Sequence, residues 1–248
     1  MNNKEKRYPS LKEITEKEHI EVVKDIFSTI TDRYDFLNRF LSLRRDIAWR
    51  RFAVKKMVFE KTGRLLDVAC GTCDVAIFAA KRYPAVKAIC LDFIHEMLEV
   101  GKKKIHAENL QDRLHLIRGD ACYMSFPDSS FDVASIAFGI RNIPDKKKAL
   151  SEMARVVVPG GQVMVLEMAF TKNWFTDILY YFYLNYMLPF IARKLSKNKG
   201  AYHYLADSIM NFPKPQEFIK LMEDSGIRDV KVYKLTFGIT YLYTGTKP

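Results

Sequence analysis

The chain has 248 residues, of which 40 are Lys or Arg and 29 are Asp or Glu, so its net charge is +11. This length suits one large domain or one domain with an appendage, and a hydrophobic content of 48% excludes a wholly disordered chain. Four cysteines are too few for a disulfide scaffold. No apolar run with a small-residue cleavage site is visible in residues 1–30, so we expect a protein of the reducing cytoplasm.

The positive charge predicts an anionic partner, either nucleic acid, a membrane or an acidic ligand. Its distribution is uneven: the net charge is +5 over residues 1–61, +1 over 62–171 and +5 over 172–248. The excess therefore flanks a nearly neutral middle. Solvated Lys-rich helix faces would explain the same pattern without any partner.

The first 60 or so residues favour helices. Apolar side chains at Ile20, Val23 and Phe27 recur at a spacing close to the 3.6-residue helical period. We expect these residues to form an N-terminal helical cap, 1–62, before a main domain that covers 63–248. The helices predicted in the cap run over Glu16–Ile30 and Ile47–Val58.

From Arg64 onward, apolar runs typical of strands alternate with helical stretches. Repeated strand–helix–strand units predict a parallel sheet that helices cover on both faces. The last two strands follow a helix that Gly226 ends, and the turn at Phe237–Ile239 makes them an antiparallel hairpin. The predicted strands are Arg64–Ala69, Val86–Asp92, Leu114–Gly119, Phe131–Phe138, Gln162–Met168, Asp229–Leu235 and Thr240–Thr246, and the predicted helices are Asp74–Tyr83, Ile94–His106, Lys146–Val157 and Pro215–Ser225.

An aromatic-rich stretch from Trp174 to Ala192 resembles a membrane span in length. Asp177, Asn185 and Pro189 interrupt it, which disfavours a transmembrane helix. We expect a helical insertion, 170–213, that lines an apolar pocket or lies on a bilayer surface, with an ordinary buried helix as the alternative.

Acidic residues stand at the ends of three successive predicted strands. Asp67 precedes a tight turn at Gly71, where the backbone can approach a ligand, and Asp92 and Asp120 end the next two strands. Ligands of open α/β sheets bind at the carboxyl ends of the strands. Because a glycine-rich phosphate loop is missing, the pattern favours a nucleoside cofactor without phosphates, with Asp92 on the ribose and Asp120 near the adenine amino group.

This series of acids resembles class I S-adenosylmethionine-dependent methyltransferases, which implies a doubly wound, seven-stranded α/β sheet with an antiparallel last strand. A more specific resemblance is to the quinone C-methyltransferases of the demethylmenaquinone and ubiquinone pathways, and it spans roughly Phe27 to Lys247. The segments that carry it are Ala137–Asn142, with the sequence AFGIRN, and Tyr34–Asn38, Arg155–Gly161 and Tyr202–Pro213.

The resemblance implies S-adenosyl-L-methionine as the cofactor and a catalytic role for Arg141. Arg141 and Asn142 follow the fourth strand, where they can contact the oxygens of a substrate ring, and Tyr34 is a further catalytic candidate. Tyr202 and His203 are second-rank candidates around the ring, as is Tyr34, and His203 is more typical of an exposed position. The residues expected to bind the cofactor are Asp67, Gly71, Thr72, Asp92, Asp120, Ala121 and Ala137.

Two departures from the family pattern place Cys70 and Cys73 where glycines are usual. The Cys-x-x-Cys spacing also occurs in redox pairs and, with Cys90 and Cys122 near strand ends, in metal sites. A metal bound by these cysteines would occupy the space in which the cofactor is expected to bind. We therefore favour small side chains in place of glycine and expect no metal.

The expected function is C-methylation of a prenylated hydroquinone, with demethylmenaquinol preferred over a benzoquinol of the ubiquinone pathway. An RNA methyltransferase is a weaker alternative, because Gly139–Pro144 replaces the usual amine-methylating motif and no Pro precedes a Cys. A non-catalytic cofactor-binding protein is disfavoured because all three acids are present. We expect an anionic membrane surface and no nucleic acid as partners, peripheral association with the inner face of the cell membrane, and leave a homodimer open.

Overall fold

The computed structural model describes residues 8, 14–169 and 200–248. Among the described residues, three α-helices precede the first strand, and strand–helix–strand units follow as the sequence predicts. The helices are α1 Glu16–Ile30, α2 Tyr34–Leu41, α3 Arg45–Lys55, α4 Asp74–Arg82, α5 His95–Ala107, α6 Lys146–Val156, α7 Gly200–Met210 and α8 Pro215–Glu223. The strands are β1 Arg64–Val68, β2 Lys87–Asp92, β3 Leu114–Arg118, β4 Phe131–Ala137, β5 Val157–Met168, β6 Arg228–Leu235 and β7 Thr240–Thr246.

The seven strands form one sheet in the order β3-β2-β1-β4-β5-β7-β6. Strands β1 to β5 pair in parallel, whereas β7 is antiparallel to both of its neighbours, β5 and β6. The predicted fold class and the closing antiparallel pair are therefore confirmed. Strand order reverses between β1 and β4, which is where open α/β sheets bind their ligands.

Helices bury both faces of the sheet. Leu65 and Leu66 are neighbours in β1 and are both fully buried, yet they belong to separate apolar clusters on opposite faces. Leu65 packs with Trp49 and Val54 of α3, and Leu66 packs with Leu150 of α6. Full burial of one such side chain stabilises the fold by about 1.5–3 kcal/mol.

The first helix of the cap begins at a capping box. Thr15 Oγ1 accepts a hydrogen bond from the Glu18 N–H at 3.3 Å, and Glu18 Oε2 accepts one from the Thr15 N–H at 2.8 Å. The apolar side chains of α1 then turn toward the carboxyl end of the sheet, where Val23 and Phe27 line a cavity. The fold thus brings the cap to the edge where a ligand is expected.

Strand β5 begins at Val157, before the Gln162 start that the sequence predicts. Pairing with β4 shifts in register between Phe131 and Val133, which face Val157 and Gln162, so the extra residues that contain Pro159, Gly160 and Gly161 bulge from β5 there. Gly161 is required there, because a Cβ atom would lie 2.8 Å from the Val158 carbonyl oxygen.

Within the described residues, no helix is long and apolar enough to cross a membrane. The predicted insertion helix at Trp174–Ala192 lies outside the described part of the chain.

Candidate active site

A cavity of about 280 Å³ opens at the carboxyl ends of β1, β2 and β4, close to the lower end of the volumes usual for small-molecule sites. Five of the seven predicted cofactor residues line it, and α1 forms its outer wall through side chains that include Phe27. Sequence reasoning did not assign this wall. The five residues are Gly71, Asp92, Asp120, Ala121 and Ala137.

Asp92 holds the loop that follows β1. Its Oδ2 accepts the Gly71 N–H at 2.7 Å and its Oδ1 accepts the Ile94 N–H at 2.8 Å. Burial raises the pKa of this carboxyl to about 6, so it is largely ionised at neutral pH. Each carboxylate oxygen has a second lone pair, and the residue lines the cavity, so Asp92 can also accept hydrogen bonds from a ribose.

Gly71 and Asp120 meet the other requirements of a nucleoside site. Gly71 has φ +55°, a left-handed conformation that favours glycine, in the loop that faces the cavity. Asp120 accepts the Cys122 N–H through Oδ1 at 2.8 Å and lines the same cavity. The donor set therefore fits a nucleoside cofactor.

Asp67 and Thr72, both predicted to bind the cofactor, do not line the large cavity; they line a smaller one of about 20 Å³ behind the loop. Asp67 is only 1% exposed, and it accepts hydrogen bonds from Ser135 Oγ at 3.1 Å and the Ala76 N–H at 3.2 Å. Burial raises its pKa to about 8. In this structure Asp67 ties β1 to β4 and α4.

Thr72 belongs to a polar network that sequence reasoning missed. Its Oγ1 donates to Asp35 Oδ1 at 2.7 Å, and Lys104 Nζ donates to Thr72 Oγ1 at 2.9 Å. Lys104 also pairs with Asp35 at 2.7 Å and with Asp74 at 2.5 Å. The network joins α2, α4 and α5 around the loop that follows β1, and no local sequence signal connects these residues.

Arg141 forms a buried ion pair behind the site. Its Nη1 lies 2.6 Å from Glu167 Oε1 and donates to the Phe138 carbonyl at 2.8 Å; Arg141 is 7% exposed and Glu167 is fully buried. Burial alone would lower the pKa of Arg141, but the charge of Glu167 more than compensates and raises it. The guanidinium is therefore a permanent cation and a poor proton acceptor.

A second cavity of about 50 Å³ lies beside this guanidinium. It is mainly apolar, with Phe27, Leu37 and Leu41 among its lining residues, and Tyr34 and Asn142 line both this cavity and the large one. Among the described residues, the buried Nε of Arg141 has no hydrogen-bond partner. The structure thus brings all three predicted catalytic residues together, with Arg141 on the second cavity only.

Asn142 is held by a chain of hydrogen bonds that sequence reasoning did not find. Tyr204 donates its hydroxyl proton to Asn142 Oδ1 at 3.1 Å, and His19 Nε2 lies 3.0 Å from the same hydroxyl oxygen. Burial and then the charge of Lys146 lower the pKa of His19 to about 4, so the imidazole is neutral at pH 7. Its Nε2 must then carry the proton and donate to Tyr204.

Other predicted candidates have different outcomes. The side chains of Tyr202 and His203 lie outside the described part of the structure. Cys70 and Cys73 are thiols without a disulfide; their Sγ atoms are 3.8 Å apart and hydrogen-bonded, and Cys90 is buried beside them. Over the described ranges, no group of three His, Cys, Asp or Glu side chains has the arrangement of a metal site.

Similar proteins place this arrangement in a family. A sequence model of the ubiE/COQ5 methyltransferase family matches residues 12–247. The ubiquinone/menaquinone biosynthesis C-methyltransferase UbiE of Geotalea daltonii is 43% identical over 228 residues, which cover 92% of this chain and 97% of the relative. The demethylmenaquinone methyltransferase of Thermus thermophilus is 39% identical over 223 residues, which cover 90% of this chain and all of the relative.

Solved structures support the fold. An S-adenosylmethionine-dependent methyltransferase from Thermotoga maritima superposes with a TM-score of 0.61 at 20% identity, covering 91% of this chain and 99% of that one. Phosphoethanolamine N-methyltransferase 2 of Haemonchus contortus, solved with S-adenosyl-L-methionine, gives a TM-score of 0.59 at 18% identity, covering 86% of this chain and 59% of that one. The sequence matches and the fold agree: this chain is a member of the ubiE/COQ5 methyltransferase family.

Proposed function

We propose that this protein transfers a methyl group from S-adenosyl-L-methionine to a ring carbon of a prenylated hydroquinone, with demethylmenaquinol as the preferred substrate. The observation that carries the proposal is the position of Asn142 and Tyr34, which line both the nucleoside-type cavity and the apolar cavity beside Arg141. A methyl donor in the first cavity and a ring in the second would meet at these two side chains.

The cofactor would supply a methyl group that is electrophilic because it is bonded to a sulfonium. Asp92 and Asp120 would hold the nucleoside, and Gly71 would let the loop backbone approach it. Once the nucleoside is held in place, the main contribution of the protein is to position the attacking carbon.

The substrate carbon must be electron-rich to attack the methyl group. A hydroquinone meets this need when it loses a phenolic proton, whereas the oxidised quinone does not. Carbon–carbon bond formation breaks the sulfur–carbon bond, and loss of the ring proton at that carbon restores the aromatic ring. The enzyme should therefore accept only the reduced ring.

Arg141 would stabilise the phenolate oxygen. It is charged, and its buried Nε is without a partner among the described residues, beside the apolar cavity. A cation fixed in advance at the place where negative charge develops is effective because it needs no reorganisation during the reaction. A water molecule oriented by Arg141 would take the phenolic proton, because a guanidinium is a poor proton acceptor.

Asn142 and Tyr34 would orient the ring between the two cavities. The bond from Tyr204 occupies the Asn142 carbonyl oxygen, so the amide nitrogen is the group that can donate to a ring oxygen. Tyr34 packs edge-on against Phe27 of α1, with ring centroids 5.9 Å apart, which fixes the tyrosine at the junction.

We also keep the division into a cap, 1–62, and a methyltransferase domain, 63–248. Supporting it, α1 and α2 contribute side chains to both cavities, although the core of the domain is the sheet. A prenylated substrate resides in a bilayer, so we propose peripheral binding to the inner, anionic face of the cell membrane.

The identity of the substrate ring, naphthoquinol or benzoquinol, is the most specific statement of the proposal. Similar proteins carry both kinds of name, ubiquinone/menaquinone biosynthesis C-methyltransferase and demethylmenaquinone methyltransferase. A competition assay with labelled S-adenosylmethionine and equal amounts of demethylmenaquinol and the benzoquinol analogue separates the two. We expect the label in the naphthoquinol product; label mainly in the benzoquinol product would reverse the assignment.

A further inference from the structure

Helix α2 is apolar on two faces. Its inward face places Tyr34, Leu37 and Leu41 on the small cavity beside Arg141. On its outward side, Phe36 is 53% exposed and Phe40 is 44% exposed. A surface helix of a globular protein normally keeps one apolar stripe, so the outward residues call for a second partner.

The outward residues form one patch. The rings of Phe36 and Phe40 are stacked, with centroids 6.0 Å apart, and Leu43 just past the helix is 79% exposed. Leu43 and Arg44 both have positive φ, at 50° and 64°. A left-handed conformation is uncommon for a residue other than glycine, and here the Leu43 side chain gains little burial in return.

The segment that carries this patch is strongly basic. Residues 33–55 contain seven basic and two acidic side chains. Both acids are already engaged inside the protein: Asp35 pairs with Lys104 at 2.7 Å, and Asp46 pairs with Arg50 at 2.9 Å. Exposed basic residues of this segment include Arg44, Arg45, Arg51 and Lys55.

We infer that the patch of Phe36, Phe40 and Leu43, together with the exposed basic side chains of the same segment, docks the protein on a bilayer of anionic phospholipid. Aromatic and aliphatic side chains together with basic ones are the composition of a helix that lies in the membrane interface. Each well-placed cation adds electrostatic attraction to an anionic leaflet. Charge complementarity favours this occupant over a second copy of the chain, whose identical segment would carry the same positive charge.

The inference rests on the proposed function, because a prenylated substrate must come from a bilayer. The two faces of α2 give it a direct use: with the outer face on the membrane, the inner face lines the apolar cavity that ends at Arg141 and Asn142. The ring could then enter while the tail stays in the lipid.

The test compares vesicle binding by the full chain with that of Phe36→Gln/Phe40→Gln/Leu43→Asn. The matched control is Val58→Gln/Phe237→Asn, which replaces two apolar side chains that are 46% and 76% exposed outside the patch. On vesicles of phosphatidylglycerol and phosphatidylcholine in equal parts, we expect the patch variant to lose affinity at least about tenfold and the control to bind like the unaltered chain. Pure phosphatidylcholine vesicles should bind all three weakly.

An activity arm separates this inference from the proposed function. The patch variant should methylate a tail-less hydroquinone in solution at the normal rate and lose activity on a prenylated hydroquinone embedded in anionic vesicles. If no hydroquinone is methylated by any variant, the proposed function fails while the vesicle result stands. Equal vesicle affinity of the patch variant and the unaltered chain would overturn the docking surface, as would a patch variant that only loses a dimer in sedimentation.

Discussion

Replacement of Arg141 should separate catalysis from stability, because the residue serves both. In Arg141→Met, the fully buried Glu167 loses the cation 2.6 Å away. Removal of one partner of a buried ion pair costs about 3–5 kcal/mol. Glu167 still accepts the Met168 N–H at 2.9 Å, so we expect a loss of unfolding free energy near the lower end of that range.

A second variant separates the loss of catalysis from the loss of stability. In Arg141→Met/Glu167→Gln neither charge is present, and the glutamine oxygen can still accept the Met168 N–H that bonds to Glu167 Oε1 at 2.9 Å. The backbone N–H of residue 141 bonds to the other carboxylate oxygen at 3.3 Å, and this weaker bond is lost. Replacing both members of a buried pair by neutral groups of similar size is often close to neutral. Because one backbone bond is lost, urea unfolding should give a free energy above that of Arg141→Met and within about 1–2 kcal/mol of the unaltered chain.

The rate should not recover with the stability. Loss of one preorganised group that stabilises an oxyanion typically lowers kcat about 10²–10³-fold, and we expect this loss in both variants. Binding of S-adenosylmethionine, measured by calorimetry, should be unchanged because Arg141 does not line the large cavity. A double variant that regains both stability and turnover would refute the catalytic role and leave Arg141 as a structural anchor of the loop.

Three further predictions concern the groups around the site. S-adenosylmethionine affinity should fall as the pH drops below about 6, because protonation of Asp92 removes a hydrogen-bond acceptor. Asp92→Asn should bind the cofactor weakly at every pH. An affinity of the unaltered chain that calorimetry finds independent of pH would contradict this role of Asp92. Tyr204→Phe should leave the His19 N–H without an acceptor, lower stability by about 1–3 kcal/mol in urea unfolding, and reduce kcat more than cofactor affinity. The folded-state pKa of His19, about 4, lies below its ordinary value, so the unfolded chain takes up this proton at a higher pH than the folded chain. The free energy of unfolding should therefore decline by up to about 2–3 kcal/mol as the pH falls from 6.5 to 4. Denaturation of His19→Phe over the same range should lack this part of the pH dependence.

The sheet and part of the site follow from local patterns in the sequence. Apolar runs and helical periods predict every strand of the sheet, and Asp92 and Asp120, which follow from their positions at strand ends, line the cavity. Asp67 has the same kind of position in the sequence pattern, but its carboxyl group bonds to Ser135 and to the first turn of α4. The position of an acid near a strand end does not specify which face of the sheet its side chain joins, and that explains the different outcome.

The supporting contacts could not be predicted in the same way. His19 and Tyr204 are 185 positions apart, and their bond depends on how α1 and α7 pack. The Arg141–Glu167 pair likewise joins a loop after β4 to the neighbouring strand β5. Such contacts arise from tertiary packing and leave no periodic signal in a single sequence.

The most direct test of the central claim is methylation of the reduced and the oxidised ring side by side. Purified protein is incubated with methyl-labelled S-adenosylmethionine and either demethylmenaquinol or demethylmenaquinone, and the position of the label is read by nuclear magnetic resonance. We predict one labelled methyl group on a ring carbon of the quinol and none on the quinone. Label on an oxygen atom, equal labelling of both forms, or no labelled lipid at all would contradict it.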